Sequence, residues 1–313
     1  MTPDLRAAAF GAHPDAAVRV RPGMVAADRW LVAVVLGGQG RYAAAATILE
    51  DLVTAPRVPP AVAAHAAVTL AAHRRQLGGH ATARRLDAIG LRHATAAPPG
   101  ALDVDGTDAR AARVDALVGL AADAVGTGAA GLAQRLLDAA AAAECGHPAW
   151  RLTVRLCWVR AELALLRGDA AAAVAPSRTA LELATAGGSV RHVVKSRIVH
   201  AVAGAVAGGD ACAAIAELDA AGDLAERAGL LSLAWPARYA ATDVSQLAPI
   251  GVSTANDRAA RTAQQSVNGR PNDAARRRHA GAATVSVILR RCDPVGRRLM
   301  RVGLGLSDGL PVT

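Results

Sequence analysis

The stretch of this sequence most suggestive of a cofactor site lies at residues 31–43. An apolar run at 31–36 leads into Gly38-x-Gly40-x-x-Ala43. Read as a strand followed by a glycine turn, that spacing would let backbone N–H groups approach a dinucleotide pyrophosphate. The same chemistry needs a βαβ unit and an acidic side chain about 20 residues further on. No acidic residue stands between Asp51 and Asp87, and no β-branched apolar run follows Pro60. The expectation is a helix–glycine–helix turn with no bound cofactor.

Histidines and carboxylates give no better case for catalysis. His65 and His73 are eight residues apart, as are His192 and His200, so each pair can share a helix face. A metal centre would want a spacing of three or four with a carboxylate beside it. Both pairs read as structural, and no metal ligand is assigned. The acidic run Asp103, Asp105, Asp108 is only superficially similar to a calcium loop. Its twelfth position, where a glutamate is required, is Val114. It reads as a solvated loop, with Thr107 or Asp108 capping the next helix. No GxSxG or SxxK nucleophile motif occurs. No catalytic residue is assigned, and a non-enzymatic protein is expected.

Binding chemistry is better represented. Arg151, Arg155, Trp158 and Glu162 recur at steps of four, three and four, one face of a helix. Arg191 and Lys195 stand four apart further on. Arginine offers forked donors to carboxylates, and tryptophan a large apolar surface with one N–H. Arg151, Arg155, Trp158, Arg191 and Lys195 are therefore the candidate contacts for a protein partner, an acidic or C-terminal peptide. A second set, Arg276, Arg277, Arg278, Arg290, Arg291, Arg297 and Arg298, is a candidate anionic-surface site. It motivates the alternative of a nucleic-acid-associated regulator. No aromatic interleaves it, so base stacking is not expected. Arg276 to Arg278 fall in the first turn of a predicted helix, where the dipole disfavours cations.

The elements that must position these residues are helices. With 52% hydrophobic and 19% charged residues, the chain can bury a core and is not a disordered polymer. Aromatics are 2%, too few for a β-sandwich or barrel, and the abundant alanine favours helix. Lys195 is the single lysine among 35 basic side chains, a bias that fits a GC-rich genome and weakens any inference from the net charge of +9. The excess is concentrated at residues 254–313, with eleven arginines against four aspartates. Cys145, Cys157, Cys212 and Cys292 form no CxxC pair and read as small buried hydrophobes in a reducing compartment. No signal peptide and no membrane-length apolar run is found, so a soluble cytoplasmic protein is expected.

Glycines punctuate the chain at a regular interval. The last glycines of five turns are Gly40, Gly79, Gly128, Gly168 and Gly209, spaced by 39 to 49 residues. Each lies between two apolar-periodic segments, predicting helices at 26–36 and 41–54, 60–77 and 80–95, 108–125 and 129–144, 149–167 and 169–186, 190–207 and 210–228. Asp169 and Asp210 suit the N-cap after their turns. In the fourth unit, Leu152, Leu156, Val159, Leu163 and Leu166 form one stripe, and Val174, Leu181 and Ala184 a facing one. Further helices are predicted from 230, with Pro236 in the first turn, and at 254–267 and 273–291. A short basic segment follows at 297–306.

The run Gly40-Arg-Tyr42-Ala-Ala-Ala45 resembles the Gly-x-Tyr-x-x-Ala run of tetratricopeptide repeats. Gly168-Asp-Ala and Gly209-Asp-Ala resemble the same run without its tyrosine. Over residues 26–245 the chain is similar to the tetratricopeptide-repeat superfamily, as a divergent member with long units and few aromatics. Its units resemble the helical arrays of large bacterial transcription activators, without their ATPase P-loop. The resemblance implies an all-α fold, a right-handed superhelical array of antiparallel hairpins forming an α-solenoid. It also implies that the first helix of each hairpin lines a concave partner-binding surface. The organisation expected is an N-terminal extension at 1–25, a repeat array at 26–247 and a basic C-terminal region at 248–313, more loosely tied to the array.

Overall fold

The computed structural model describes residues 4–247 and 271–306, and every regular element in them is a helix. A short α1 (Leu5–Phe10) precedes five helix pairs: α2 (Ala26–Gly38) with α3 (Tyr42–Thr54), α4 (Pro60–Gln76) with α5 (His80–Ala96), α6 (Ala109–Gly126) with α7 (Ala130–Glu144), α8 (Trp150–Leu166) with α9 (Ala170–Ala186), and α10 (Val190–Val206) with α11 (Ala211–Arg227). α12 (Leu231–Leu247), α13 (Pro271–Arg290) and α14 (Pro294–Gly303) follow.

Turn chemistry explains the pair boundaries. Positive φ falls on Gly40, Gly78, Gly128, Gly168 and Gly208, the left-handed conformation that glycine adopts without a Cβ clash. In the two double-glycine turns the left-handed residue is thus the first glycine, one before the expected Gly79 and Gly209. The aspartate caps form: Asp169 accepts from the Ala172 N–H at 3.1 Å, Asp210 from Cys212 at 2.8 Å, and Asp108 from Ala111 at 3.0 Å. Each such cap contributes about 1 kcal/mol.

Packing corrects several expectations. Leu152, Leu156, Val159 and Leu163 are buried in one cluster, but Leu166 is 42% exposed. In α9 the buried stripe is Ala173, Ser177, Ala180 and Ala184, with Val174 and Leu181 only half-buried. Small residues bring the axes close, and the larger ones flank the contact. Pro236 is the sixth residue of α12, past the first turn. Arg276 to Arg278 lie in the second turn of α13, because that helix starts at Pro271. Of the cysteines, Cys157 and Cys292 are buried, whereas Cys145 is exposed. The predicted helix at 254–267 lies outside the described residues.

The first helices α2, α4, α6, α8, α10 and α12 touch in sequence, and α12 returns to α2. At that return the Ser232 hydroxyl donates to the Gly38 carbonyl at 2.9 Å. One turn away Arg191 Nη1 donates to the Val34 carbonyl at 3.3 Å. The inner helices therefore enclose a common interior.

Residues 271–306 pack on this array. α13 lies along α12, and Arg277 forks onto Asp219 at 2.7 and 2.9 Å. The Ala43 N–H donates to the Arg291 carbonyl at 2.8 Å, and Arg74 pairs with Asp293 at 2.6 Å. Ile288, Leu289 and Met300 join Tyr42 and Leu77 in one cluster. At the other terminus, Arg6 pairs with Asp103 at 3.1 Å and with Asp105, so the acidic loop holds the N-terminal arm. Gln39 Nε2 donates to the Pro14 and Ala16 carbonyls at 2.9 and 3.0 Å, and the Val190 N–H to the Gly11 carbonyl at 3.2 Å.

Candidate functional site

The five residues singled out as partner contacts converge. Arg151, Arg155 and Trp158 on α8, with Arg191 and Lys195 on α10, line one cavity of about 120 Å³ in the interior of the helix array. The spacing that makes a stripe on each helix makes, on two adjacent inner helices, one wall.

Their surroundings are part-buried and rich in ion pairs. Arg151 is only 4% exposed. Its Nη1 reaches Asp115 on α6 at 2.8 Å, its Nε the Asp105 carbonyl at 2.6 Å, and its Nη2 the Gly106 carbonyl. Arg155 Nε lies 2.9 Å from the other oxygen of the same carboxylate. One buried Asp115 thus serves two guanidiniums. Burial opposes its charge, yet Arg151 and Arg155 prevail and hold its carboxyl below the usual range. Burial lowers the Arg155 guanidinium from its ordinary value.

Arg191 stands apart from these. It pairs with no carboxylate among the described residues, and its hydrogen bond is the one to the Val34 carbonyl. Burial pushes its guanidinium down to about 10, with Tyr42 opposing and Arg155 assisting. Lys195 is more open: its Nζ meets Glu162 at 3.0 Å with each side chain about one-third exposed, and lies 5.9 Å from the centroid of Trp158. The Trp158 indole N–H donates to Ser196 at 2.9 Å, so the ring is held in one orientation.

Side chains that no spacing rule connects to these five, most of them from other elements, complete the wall. His192 stacks on Trp158 with ring centroids 5.6 Å apart, and His65 on Trp30 at 4.6 Å. Phe10, from α1, closes the cavity between Trp30, at 6.0 Å, and Arg151, whose guanidinium carbon lies 5.2 Å from the ring centroid. His73 is 2% exposed, and neither of its ring nitrogens has a hydrogen-bond partner. It packs where a Cβ on Gly37 would overlap its ring, so that glycine sets the α2–α4 approach. Burial pushes His65 down to about 4 and His73 to about 3, and it lowers His192 well below the usual histidine value. All three are neutral at pH 7. The eight-residue spacing of His65 and His73 is legible as one face of α4; their membership of this wall is not.

A neighbouring hollow of about 140 Å³ shares Gln76, Arg155, Trp158 and Lys195 with the cavity and adds Glu162 and Arg75. It forms the approach to the interior. Arg75 is committed there to Asp123, at 2.7 Å, and to Asp87.

The C-terminal arginines differ in their partners. Arg277 is spent on Asp219, and Arg276, 74% exposed, pairs with Asp273 at 3.1 Å. Arg297 Nη2 donates to the Cys292 carbonyl at 3.1 Å. Arg291 faces a separate hollow with Arg41. Arg278, Arg290 and Arg298 are exposed. No group of three or more metal-ligating side chains occurs among the described residues, and no described helix is long and apolar enough to cross a membrane.

No family model matches the chain, and no curated protein does.

Proposed function

We propose that the chain is a non-enzymatic helical-repeat protein, a divergent tetratricopeptide-like right-handed superhelix, that binds an acidic peptide segment of a protein partner on its inner face. The observation that carries this reading is the convergence of Arg155, Trp158 and Lys195 at the approach shared by the two hollows. Cations dominate there, and an indole beside them offers apolar area. The dimensions restrict the partner. A hollow of about 140 Å³ admits one side chain or a chain end, not a folded surface. An extended segment ending in a carboxylate fits that space and charge.

Titration with acidic peptides, followed by tryptophan fluorescence, tests the reading. A free C-terminal carboxylate should bind at least several-fold more tightly than its amide. Lys195→Ala should weaken that binding several-fold, because it leaves Glu162 to repel the incoming acid. Equal affinity for acid and amide would remove the proposal. The rival, nucleic-acid binding through the C-terminal arginines, predicts instead retention on DNA that falls steeply with salt and is insensitive to Lys195→Ala.

A further inference from the structure

Inside the approach, the chamber has a charge imbalance. Its wall carries Arg151, Arg155 and Arg191, and among the described residues lining it the one carboxylate is Asp115. Lys195 is balanced by Glu162 at the mouth. Asp115 is shared by Arg151 and Arg155. Arg191 is left without a counter-ion among the described residues. Two positive charges are therefore uncompensated in a space whose walls are helix, indole and imidazole. The histidines cannot offset them, since neutral imidazole carries no charge and protonation would add more. Arg155 and Arg191 are half-buried, so water screens them only in part, and an anion between them would be favoured.

The remaining donors point to the same missing group. His73 lines the chamber with its Nε2 edge turned against Gly37, so it shapes the wall and is not a donor to the chamber. Gln76 accepts from the Tyr42 hydroxyl at 2.7 Å through its carbonyl oxygen, which leaves its amide N–H groups for another acceptor. Guanidinium and amide N–H groups all donate, and what they require is an acceptor with several oxygens. The chamber's 120 Å³ equals the liquid volume of about four waters, room for a small ion and not for a nucleotide.

We infer that this chamber is a binding site for a free small oxyanion of charge about −2, a phosphate or a short dicarboxylate, with Arg191 as its principal ligand. Arg155 and the Gln76 amide complete the donor set. The site lies deeper than the peptide approach and does not depend on it.

Isothermal titration of the full chain at low ionic strength, with inorganic phosphate and with succinate in separate arms and chloride as the monovalent control, tests the inference. At least one dianion should bind saturably with one-to-one stoichiometry and raise the melting temperature in proportion to the logarithm of its concentration. The stronger arm distinguishes phosphate from carboxylate. Arg191→Gln should lose at least tenfold in affinity and lose the ligand-dependent rise in melting temperature. Without ligand it should melt no lower than the parent, because it removes an uncompensated charge. Arg191→Lys, which keeps the charge but not the fork, should also lose affinity. Arg160→Gln, on the exposed side of α8, should bind as the parent does and controls for net charge. The inference is overturned if neither dianion binds, if chloride competes at equal concentration, or if Arg191→Gln binds as tightly as the parent. Peptide binding that fails while dianion binding holds would remove only the acidic-peptide reading.

Discussion

Ser232 and Gly38, 194 residues apart in sequence, are joined by a hydrogen bond of 2.9 Å that ties the last inner helix to the first. Ser232 is 2% exposed, so the Gly38 carbonyl has no ready access to water if the hydroxyl is removed. Ser232→Ala should cost about 1 kcal/mol. A lower urea midpoint with an unchanged slope is the expected result. An unchanged midpoint would mean that the contact is carried by packing alone.

The shared carboxylate makes an asymmetric pair of variants. Asp115→Asn leaves Arg151 and Arg155 without their buried partner and should destabilise by about 3–5 kcal/mol. Arg155→Met removes one of two cations and leaves the Arg151 pair intact, so its cost should be well below that of Asp115→Asn. Equal losses in chemical denaturation would show that the two arginines do not share the charge.

Acid should unfold the protein through its buried histidines. His65 and His73 have folded values of about 4 and about 3, below the 6.5 of an unfolded histidine. The unfolded chain binds these protons first, so the histidines' contribution to stability is complete above pH 6.5. It is lost as pH falls through that value towards the folded ones. Each histidine contributes a slope of about 1.4 kcal/mol per pH unit in its window. Asp87, pushed up to about 8 by burial, acts in the opposite sense between about pH 4 and 8, but as one group against three lowered histidines. His73→Gln should reduce the slope between pH 4 and 6.5, read from denaturation midpoints across that range. A slope identical to the parent's would show that His73 does not titrate as a buried neutral group.

Gly119 on α6 faces the Asp87 carboxylate so closely that a Cβ would overlap it. Gly119→Ala should therefore destabilise, by about 1–3 kcal/mol, despite alanine's better helix propensity. Calorimetry showing a higher melting temperature would mean that propensity outweighs the clash.

What the sequence made legible was local. Glycine turns, Asp108, Asp169 and Asp210 caps and the Leu152–Leu156–Val159–Leu163 stripe all depend on neighbours within a turn or two, and the structure follows them. The stripe of α9 departs from the expected one because alanines and a serine, not Val174 and Leu181, make the close contact, and small residues carry little hydropathy signal. Arg151, Arg155 and Trp158 could be placed on one helix face, but not on which side of the array wall that face lies. Their partner Asp115 is 36 residues from Arg151 on another helix, so no spacing rule connects them. α1 left no trace either: six residues are too few for a periodic pattern, and Phe10 matters only through Trp30 and Arg151.

Because α12 returns to α2, the number of helix pairs is locked. An open solenoid gains or loses a unit at either end with little consequence, since each unit contacts only its neighbours. Here an inserted pair would part Ser232 from Gly38, and a deleted pair would leave the interior unsealed. Duplication of a unit, the ordinary route by which repeat proteins diversify, is thereby closed to this chain. The closing contacts also span most of the sequence, so the array must order nearly all of itself before they form. Slow, all-or-none folding should replace the end-fraying of an open array.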